Sequence, residues 1–423
     1  MRTYKILITV MAAAIGLAAC GADEKSAEGE PIRLSFQSLS DQPATIEVTK
    51  QIVDTWNKDN PNIQVEIIPA GWDGIYDKLI TQFNSGSAPD IIHYEAASII
   101  PFARDGYLAD LSGLLDKDFV ADVPKGIMES VTVDGKVVAA PTELQSYMVF
   151  ANKSILNKAG IEIPHGETMT WDELRNIAKA TTNADTYGLA WGLKSPTAAM
   201  MAMGPQFDGN FFEGTGEDVR INVGEGELAI PNIIHDMAYV DKTLFPLSLT
   251  QSGSEVLASF YAGKVAMTIQ GSYQAANIAV DAPKGFDWVV LPPLKGTAGA
   301  GQSANPQTLS VNIDSEHVEE SAAFINYFVK AENLATINKA DALIPPSQSA
   351  QKRMTESLGG DDNWKTILSS GQYMVSAPYL FADHYAQWKD TVATPAYQKY
   401  FAQEIDAAQL QEALTSGWNT ITH

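Results

Sequence analysis

Residues 31–92 read PIRLSFQSLSDQPATIEVTKQIVDTWNKDNPNIQVEIIPAGWDGIYDKLITQFNSGSAPDII, and within them the period of the apolar residues changes repeatedly. Leu34 and Phe36 alternate with polar neighbours, as in a strand. Val48, Ile52 and Trp56 fall four apart, on one face of a helix that Asn60-Pro61 stops. Ile63, Val65 and Ile67 alternate again. Tyr76, Leu79, Ile80 and Phe83 return to helical spacing, closed by Ser85-Gly86-Ser87, and Asp90-Ile91-Ile92 reads as a short buried strand. This β-α-β-α-β order predicts a mainly parallel sheet covered by helices, because parallel neighbours need a crossover that a helix supplies.

The same grammar continues downstream. Asp134-Gly135 is a tight turn, and Lys136 to Ala140 is the strand leaving it. Thr170-Trp171-Asp172-Glu173 is a capping box opening a helix with Leu174, Ile177, Ala178 and Thr181 on one face. Val265 to Ile269 and Trp288 to Leu291 are buried-strand candidates. Ala322, Ile325, Phe328 and Val329 mark a helix, as do Leu410, Ala413, Leu414 and Ile421 near the C-terminus. There is no internal repeat and no Pro/Gly-rich linker, so two lobes would be joined by short segments.

The N-terminus carries targeting information. A basic start, Met1 to Lys5, precedes 12 uncharged residues from Ile6 to Leu17. A bilayer span needs about 20 residues; a signal-peptide core needs fewer. The run ends in Leu17-Ala18-Ala19-Cys20-Gly21, which resembles the lipobox of bacterial lipoproteins. Residues 1–19 are therefore expected to be a signal peptide, Cys20 an acylated N-terminus, and residues 20–30, small and acidic, a flexible tether.

Of the 423 residues, 45% are hydrophobic and 19% charged, an ordinary globular balance. Asp and Glu number 51 against 28 Lys and Arg, a formal charge of −23. Such a surface repels phosphate backbones and anionic lipids, which argues against a nucleic-acid partner and leaves the lipid as the membrane contact. Cys20 is the single cysteine, so neither an internal disulfide nor a Cys-rich zinc site can form.

Catalytic signatures are missing. No Gly-rich loop precedes Lys-Ser or Lys-Thr, and no Gly-x-Gly-x-x-Gly follows a strand. Gly301-Gln302-Ser303-Ala304-Asn305 lacks the closing glycine of a nucleophile elbow. His93, His165, His235, His317, His384 and His423 show no metal-ligand spacing and read as surface or satisfied core residues. Asp361-Asp362-Asn363 lacks the later ligands of a calcium loop and reads as a solvated loop. No metal or cofactor is expected. A carboxylate pair of the glycosidase kind stays open, because acids are plentiful.

Several ordered segments together point to a family. Gly86-Ser87-Ala88-Pro89-Asp90-Ile91-Ile92 and Gly106-Tyr107-Leu108-Ala109-Asp110-Leu111 resemble the "G-x-x-P-D-(apolar)" and "G-x-L-x-D-L" segments of extracellular solute-binding proteins. These are the substrate-capturing subunits of ABC importers, in the group that includes maltose-binding protein. Asp134-Gly135-Lys136 through Ala140-Pro141 is similar to the family's "D-G-K-x-(apolar)-x-x-P" strand. Asn152-Lys153, Ala159-Gly160-Ile161, Pro164 and Thr170 to Leu174 resemble its "Y-N-K … A-G … P … T-W-D-E-L" run. Phe260 to Met267 with Gly271-Ser272-Tyr273 resembles "F-x-x-G-K-x-A-M … G-x-W", and Leu291-Pro292-Pro293 and Ile344-Pro345 look like two later crossing points. The likeness runs from about Pro31 to the C-terminus. Two departures are Ala151, where the family usually has an aromatic residue, and Tyr273, which replaces the commoner Trp but keeps an aromatic face.

The resemblance implies an α/β, two-lobe periplasmic-binding-protein-like fold of type II, with three interlobe crossovers and the ligand in the cleft. The crossovers are expected near 143–147, 290–294 and 343–348. The N-terminal lobe would take 31–143 plus 292–344, and the C-terminal lobe 146–290 plus 347–423. Such a protein binds and does not catalyse; its partners would be a carbohydrate and the membrane permease subunits, and it would act as an exported, lipid-anchored monomer.

Ligands in open α/β sheets lie beyond the carboxyl ends of the strands. Sugars call for aromatic faces and planar polar groups. Carried over by family position, the ligand-binding candidates are Gln37 and Ser38 after the first strand, then Trp72, Asp73 and Tyr76 after the second. Tyr94, Glu95 and Gln145 follow, and Trp191, Gly271, Tyr273, Gln302 and Trp388 complete the set. Trp56, Trp171 and Trp288 sit in regular patterns and read as core. Tyr385, Trp388 and Val392 also fit a buried helical face, and Asp90 reads as a local backbone acceptor. Two further ligand classes stay open beside a neutral sugar. Glycerol phosphate would call for arginine in the cleft, and none of Arg33, Arg104, Arg175, Arg220 or Arg353 falls at a predicted cleft loop. A polyamine would call for acids and aromatics, which Asp73 and Glu95 could partly supply. A lipid-anchored glycoside hydrolase is the alternative from another class.

Overall fold

The computed structural model describes residues 30–72, 74–214 and 218–422. The signal peptide, Cys20, all but the last residue of the tether, and Asp73 lie outside the described residues. The opening stretch forms β1 (Ile32–Ser38), α1 (Pro43–Asp59), β2 (Ile63–Pro69), α2 (Ile75–Asn84) and β3 (Ile91–Glu95), followed by α3 (Ala96–Arg104). Later strands that build the two main sheets are β4 (Ala140–Glu143), β5 (Tyr147–Asn152), β6 (Tyr187–Trp191), β7 (Val265–Gly271), β8 (Trp288–Val290) and β9 (Gln307–Val311).

α1 starts with Pro43 in its first turn, where the missing N–H costs nothing, and ends where Asn60 donates its side-chain amide to Trp56 O at 2.9 Å. It buries Thr45, Thr49, Ile52, Val53 and Trp56. In α2 the buried face is Ile75, Leu79 and Phe83, one step round from the expected stripe. Tyr76 therefore turns outward, 36% exposed, and stacks on Phe102 at 4.8 Å. The Thr170 capping box forms as read: Glu173 N–H donates to Thr170 Oγ1 at 3.1 Å, and Thr170 N–H to Glu173 Oε2 at 2.7 Å. Asp361 is a correction. It caps a helix, Asp362–Ser369, by accepting from the Asn363 and Trp364 N–H groups, so the acidic run opens an element and is not a free loop.

The first sheet has the order β2-β1-β3-β9-β4, with β1 parallel to both β2 and β3. β9 runs antiparallel to β3 and β4. The parallel part matches the helical crossovers; β9 arrives from far along the chain, returning from the other lobe, and enters in the opposite sense. The second sheet, β8-β5-β7-β6, has one parallel pair, β7 with β6, and two antiparallel ones. A mainly parallel sheet thus describes only part of the molecule.

Three chain passages join the sheets. Leu144–Ser146 lies between β4 and β5, and Leu144 exchanges backbone hydrogen bonds of 2.9 and 2.8 Å with Ile344, so the first and third passages run side by side. The second lies later than the expected 290–294. Leu294–Lys295 still pairs with Met169–Thr170, and Ala298 N–H donates to Gln206 O. The chain reaches the first lobe near Asn305, whose side chain contacts Ala97 N–H and Glu95. The helix Gln348–Ser357 likewise packs chiefly on the first-lobe helix Ala331–Asp341, although the boundary at 347 would put it in the second lobe. Among the described residues no helix is long and apolar enough to cross a membrane.

Candidate ligand-binding cleft

A cavity of about 390 Å³ opens at the passages between the sheets, a size suited to a small ligand. Most of its first-lobe wall is chain at or just past strand carboxyl ends. Leu39, Ser40, Asp41 and Gln42 follow β1; Trp72 follows β2; His93 and Glu95 end β3; and Glu143 and Gln145 close β4. The second lobe adds Tyr273 and Asn277 beyond β7. Asn305 and Gln307 enter with β9, and Asp341 and Leu343 come with the third passage. This is where an open α/β sheet leaves room for a ligand, because the strand ends diverge and their loops splay.

Of the sequence candidates, Trp72, Glu95, Gln145 and Tyr273 line this cavity. Trp72 rests on His93 and Tyr94, with ring centroids 6.1 Å from each. Tyr94 is buried behind it. Tyr273 is half-buried at the start of the helix Gln274–Asp281. Gly271 explains its pose: a Cβ there would stand 2.4 Å from Tyr273 Cε1, so only glycine lets the ring fold back over the strand end.

Gln37, Ser38, Gln302 and Tyr76 also sit behind the lining or away from it. Gln37 is buried, its amide donating to His93 O at 3.1 Å. Ser38 is buried and bonds Ser40. Gln302 spends both ends of its amide on Tyr147, accepting its N–H at 2.8 Å and donating to its O at 3.0 Å. It braces the second passage against β5. Tyr76 is outside the lining, because it lies on the outward face of α2.

Trp191 and Trp388 are corrections. Trp191 is enclosed in the second-lobe core beside Trp171, 6.1 Å away. Trp388 is fully buried, donates Nε1–H to Leu414 O at 3.0 Å and meets Phe212 edge-on at 5.2 Å. The helical-face reading of Trp388 is the one its surroundings match. Asp90 accepts from Ser35 N–H at 2.8 Å and from the Ser315 hydroxyl, so it ties β1 to the turn after β9 and not to its own local backbone.

Sequence reasoning missed the polar core of the cavity. His93 is buried, and its two ring nitrogens are both engaged. Leu39 N–H points at Nδ1 at 3.1 Å, so Nδ1 must accept, and Nε2 carries the proton it donates to Gln307 Oε1 at 2.6 Å. Burial pulls its pKa down to about 4, so the ring is neutral. Glu95 accepts from Ser98 Oγ at 3.2 Å and from Asn305 Nδ2 at 3.1 Å. Glu143, buried, has an Oε1 with no hydrogen-bond partner; burial first, then the charge of Asp341, pushes its pKa well above the usual carboxylate range. Asp341 is pushed up to about 6 by burial and then by Asp41. The strand-end rule that selected Gln145 would have selected Asp41 and Glu143 too; nothing local marks Asp341.

The lobes also touch through the C-terminal segment. Arg104 of α3 pairs with Asp383 and donates to Phe381 O at 2.8 Å. No cluster of His, Cys, Asp or Glu suited to a metal ion occurs among the described residues.

Comparison with known proteins agrees with this architecture. The family model described as bacterial extracellular solute-binding protein matches residues 42–335. A lipoprotein in the oleD 5′ region of Streptomyces antibioticus is 34% identical over 96% of this chain and 90% of its own length. The maltodextrin-binding protein MdxE of Bacillus subtilis is 22% identical over 81% of this chain and 80% of its own. Among solved structures, the sugar-binding protein MalE from Xanthomonas citri superposes with a TM-score of 0.79 at 19% identity, covering 92% of this chain and 97% of that one. A two-lobe fold of type II, a cleft built from strand ends, and a family match over most of the chain lead to one assignment: the protein is a member of the bacterial extracellular solute-binding protein family.

Proposed function

We propose that this chain is the solute-capturing subunit of an ABC importer and that its cleft takes a carbohydrate. The observation that carries the reading is that Trp72 from the first lobe and Tyr273 from the second line one cavity, with Gln145, Asn277 and Asn305 between the same walls. Aromatic faces suit the C–H surface of a pyranose, and planar amides suit its hydroxyls. The maltodextrin-binding relative supports the same class. Among the described residues neither lysine nor arginine is in the lining, which disfavours a phosphate-bearing ligand. Closing the lobes around the sugar would expel water and offer the permease subunits a compact, loaded form. No bond is made or broken, and aryl glycosides should not be turned over.

Tyr273→Ala should weaken sugar binding by at least roughly tenfold, since aromatic truncation at a binding hot spot costs on the order of 2 kcal/mol. Tyr273→Trp should keep most of the affinity because the face survives. Calorimetric titration against a sugar panel measures both. Tyr273→Ala binding as tightly as the wild type would refute the stacking role.

The same reading places the protein outside the cytoplasmic membrane, acylated at Cys20 and acting as a monomer. The lipobox-like Leu17-Ala18-Ala19-Cys20 and the Streptomyces antibioticus lipoprotein support it. Cys20→Ala should stop labelled palmitate entering the protein in cells; label that still enters would overturn the anchor.

A further inference from the structure

One enclosed imidazole ties several parts of the cleft together. His93, in β3, is 6% exposed. Its Nδ1 accepts from Leu39 N–H at 3.1 Å, at the start of the turn that carries Ser40, Asp41 and Gln42 into the lining. Its Nε2–H donates to Gln307 Oε1 at 2.6 Å, and its carbonyl accepts from the Gln37 amide. Trp72 stands edge-on to the ring, the planes at 76°. Burial keeps the ring neutral. With Nδ1 accepting, the proton sits on Nε2, and the Gln307 amide must turn its oxygen to the ring.

Gln307 stands where a ligand would feel this. It is half-buried, lines the cavity and opens β9. Across the sheet it faces Glu95 of β3 on one side and Glu143 of β4 on the other. Residues directly opposite in antiparallel ladders share a face, so the amide lies in a row between two carboxyls. Gln307 pairs with Glu143 and Thr308 with Pro141, so the ladder passes over Thr142. Such bulges re-aim side chains beside binding sites. Other lining carboxamides are held differently. Asn305 spends both ends on Ala97 and Glu95, and Asn277 gives its amino group to Gln274. Gln307 is anchored by its oxygen.

We propose that His93 is a positioning residue that holds Gln307 as a hydrogen-bond donor to the ligand, so that the cleft selects a ligand with an acceptor oxygen at this point. The proposal rests on the carbohydrate reading of the cleft. A sugar hydroxyl suits the row Glu95, Gln307, Glu143, because it accepts from the amide while donating to a carboxyl beside it. An ammonium group only donates and would meet the amide donor to donor. Without His93 the Gln307 amide is free to turn over, and its amino group would swing toward a neighbouring carboxyl and away from the ligand.

The test is calorimetric titration with maltotriose, cellobiose and xylobiose, taking as probe the one the wild type binds most tightly. His93→Asn keeps an acceptor for Leu39 N–H but is too short to reach Gln307, and should weaken the probe by about three- to tenfold. His93→Gln puts a donor back at the Nε2 position and should recover most of that loss. Its melting temperature should nevertheless fall at least as far, since Leu39 N–H loses its acceptor. Gln307→Glu can still accept from His93 but offers the ligand no donor, and should weaken the probe by a similar factor. His93→Asn combined with Gln307→Ala should bind no worse than Gln307→Ala alone, because both remove one interaction. Circular dichroism checks each fold. Nuclear magnetic resonance of unliganded protein carrying isotope-labelled histidine should show His93 as the Nε2–H tautomer, with a signal that moves in Gln307→Ala. Affinity that follows stability across the two His93 variants, full affinity in Gln307→Glu, an additive double variant or an Nδ1–H ring would overturn the positioning role. If Tyr273→Ala still weakens the probe in that case, the carbohydrate reading stands. A wild type that binds none of these sugars would overturn both.

Discussion

Replacing Trp388 by alanine should lower the unfolding free energy by about 3–5 kcal/mol and leave ligand affinity of the folded protein nearly unchanged. Trp388 has no exposed surface; it packs edge-on against Phe212 and lies 6.4 Å from Trp418. Truncation opens a cavity the size of an indole among rigid aromatic neighbours, and it removes the donor to Leu414 O. Urea titration followed by far-UV circular dichroism measures the first effect and calorimetry the second. A loss below about 1 kcal/mol together with lost binding would move Trp388 out of the second-lobe core and into the cleft.

Asp341→Asn should have the opposite effect on stability, and only at neutral pH. The folded-state pKa of Asp341 is raised to about 6 by burial and by Asp41. The folded form therefore prefers the protonated acid. The stability this contributes is fully present below the ordinary carboxylate range and is lost as pH rises through about 6. Asparagine mimics the protonated form and does not titrate. At neutral pH the variant should be more stable than the wild type by up to about 3 kcal/mol, less whatever solvent in the cavity screens. Near pH 4 the two should converge. Melting temperature against pH for the unliganded proteins checks this. Parallel curves for the two would show that Asp341 carries no excess proton.

How much of the fold and cleft was written in the chain can be judged residue by residue. The changes of apolar period between Leu34 and Ile92 placed β1, α1, β2, α2 and β3, because burial of one face is a local pattern of 2 or 3.6 residues. Thr170 and Glu173 announced their own helix start, since a capping box closes within four residues. Trp72, Glu95, Gln145 and Tyr273 were chosen from strand ends, visible as the ends of such patterns, and they line the cavity. Local patterns also misled. Tyr76 fits the stripe of α2 but points outward, because the packing of Ile75 selects a face one step round. Trp191 stands at the end of a strand, as a cleft residue would, yet turns into the core.

Legible along the chain were the elements of the first lobe, the chemical kind of residue at each strand end, the excess of acid over base, and the ordered motifs that carry the family. Long-range packing alone sets the antiparallel entry of β9 between β3 and β4 and the place of the second passage near Asn305. The same packing brings Asp41, Glu143 and Asp341 to one cavity and leaves Glu143 Oε1 enclosed without a partner. The reason is that periodicity records which side of an element is buried and nothing about what buries it. Where three chain segments cross between two lobes, the neighbours of a carboxylate come from positions far apart in sequence, and its charge is set by that meeting alone.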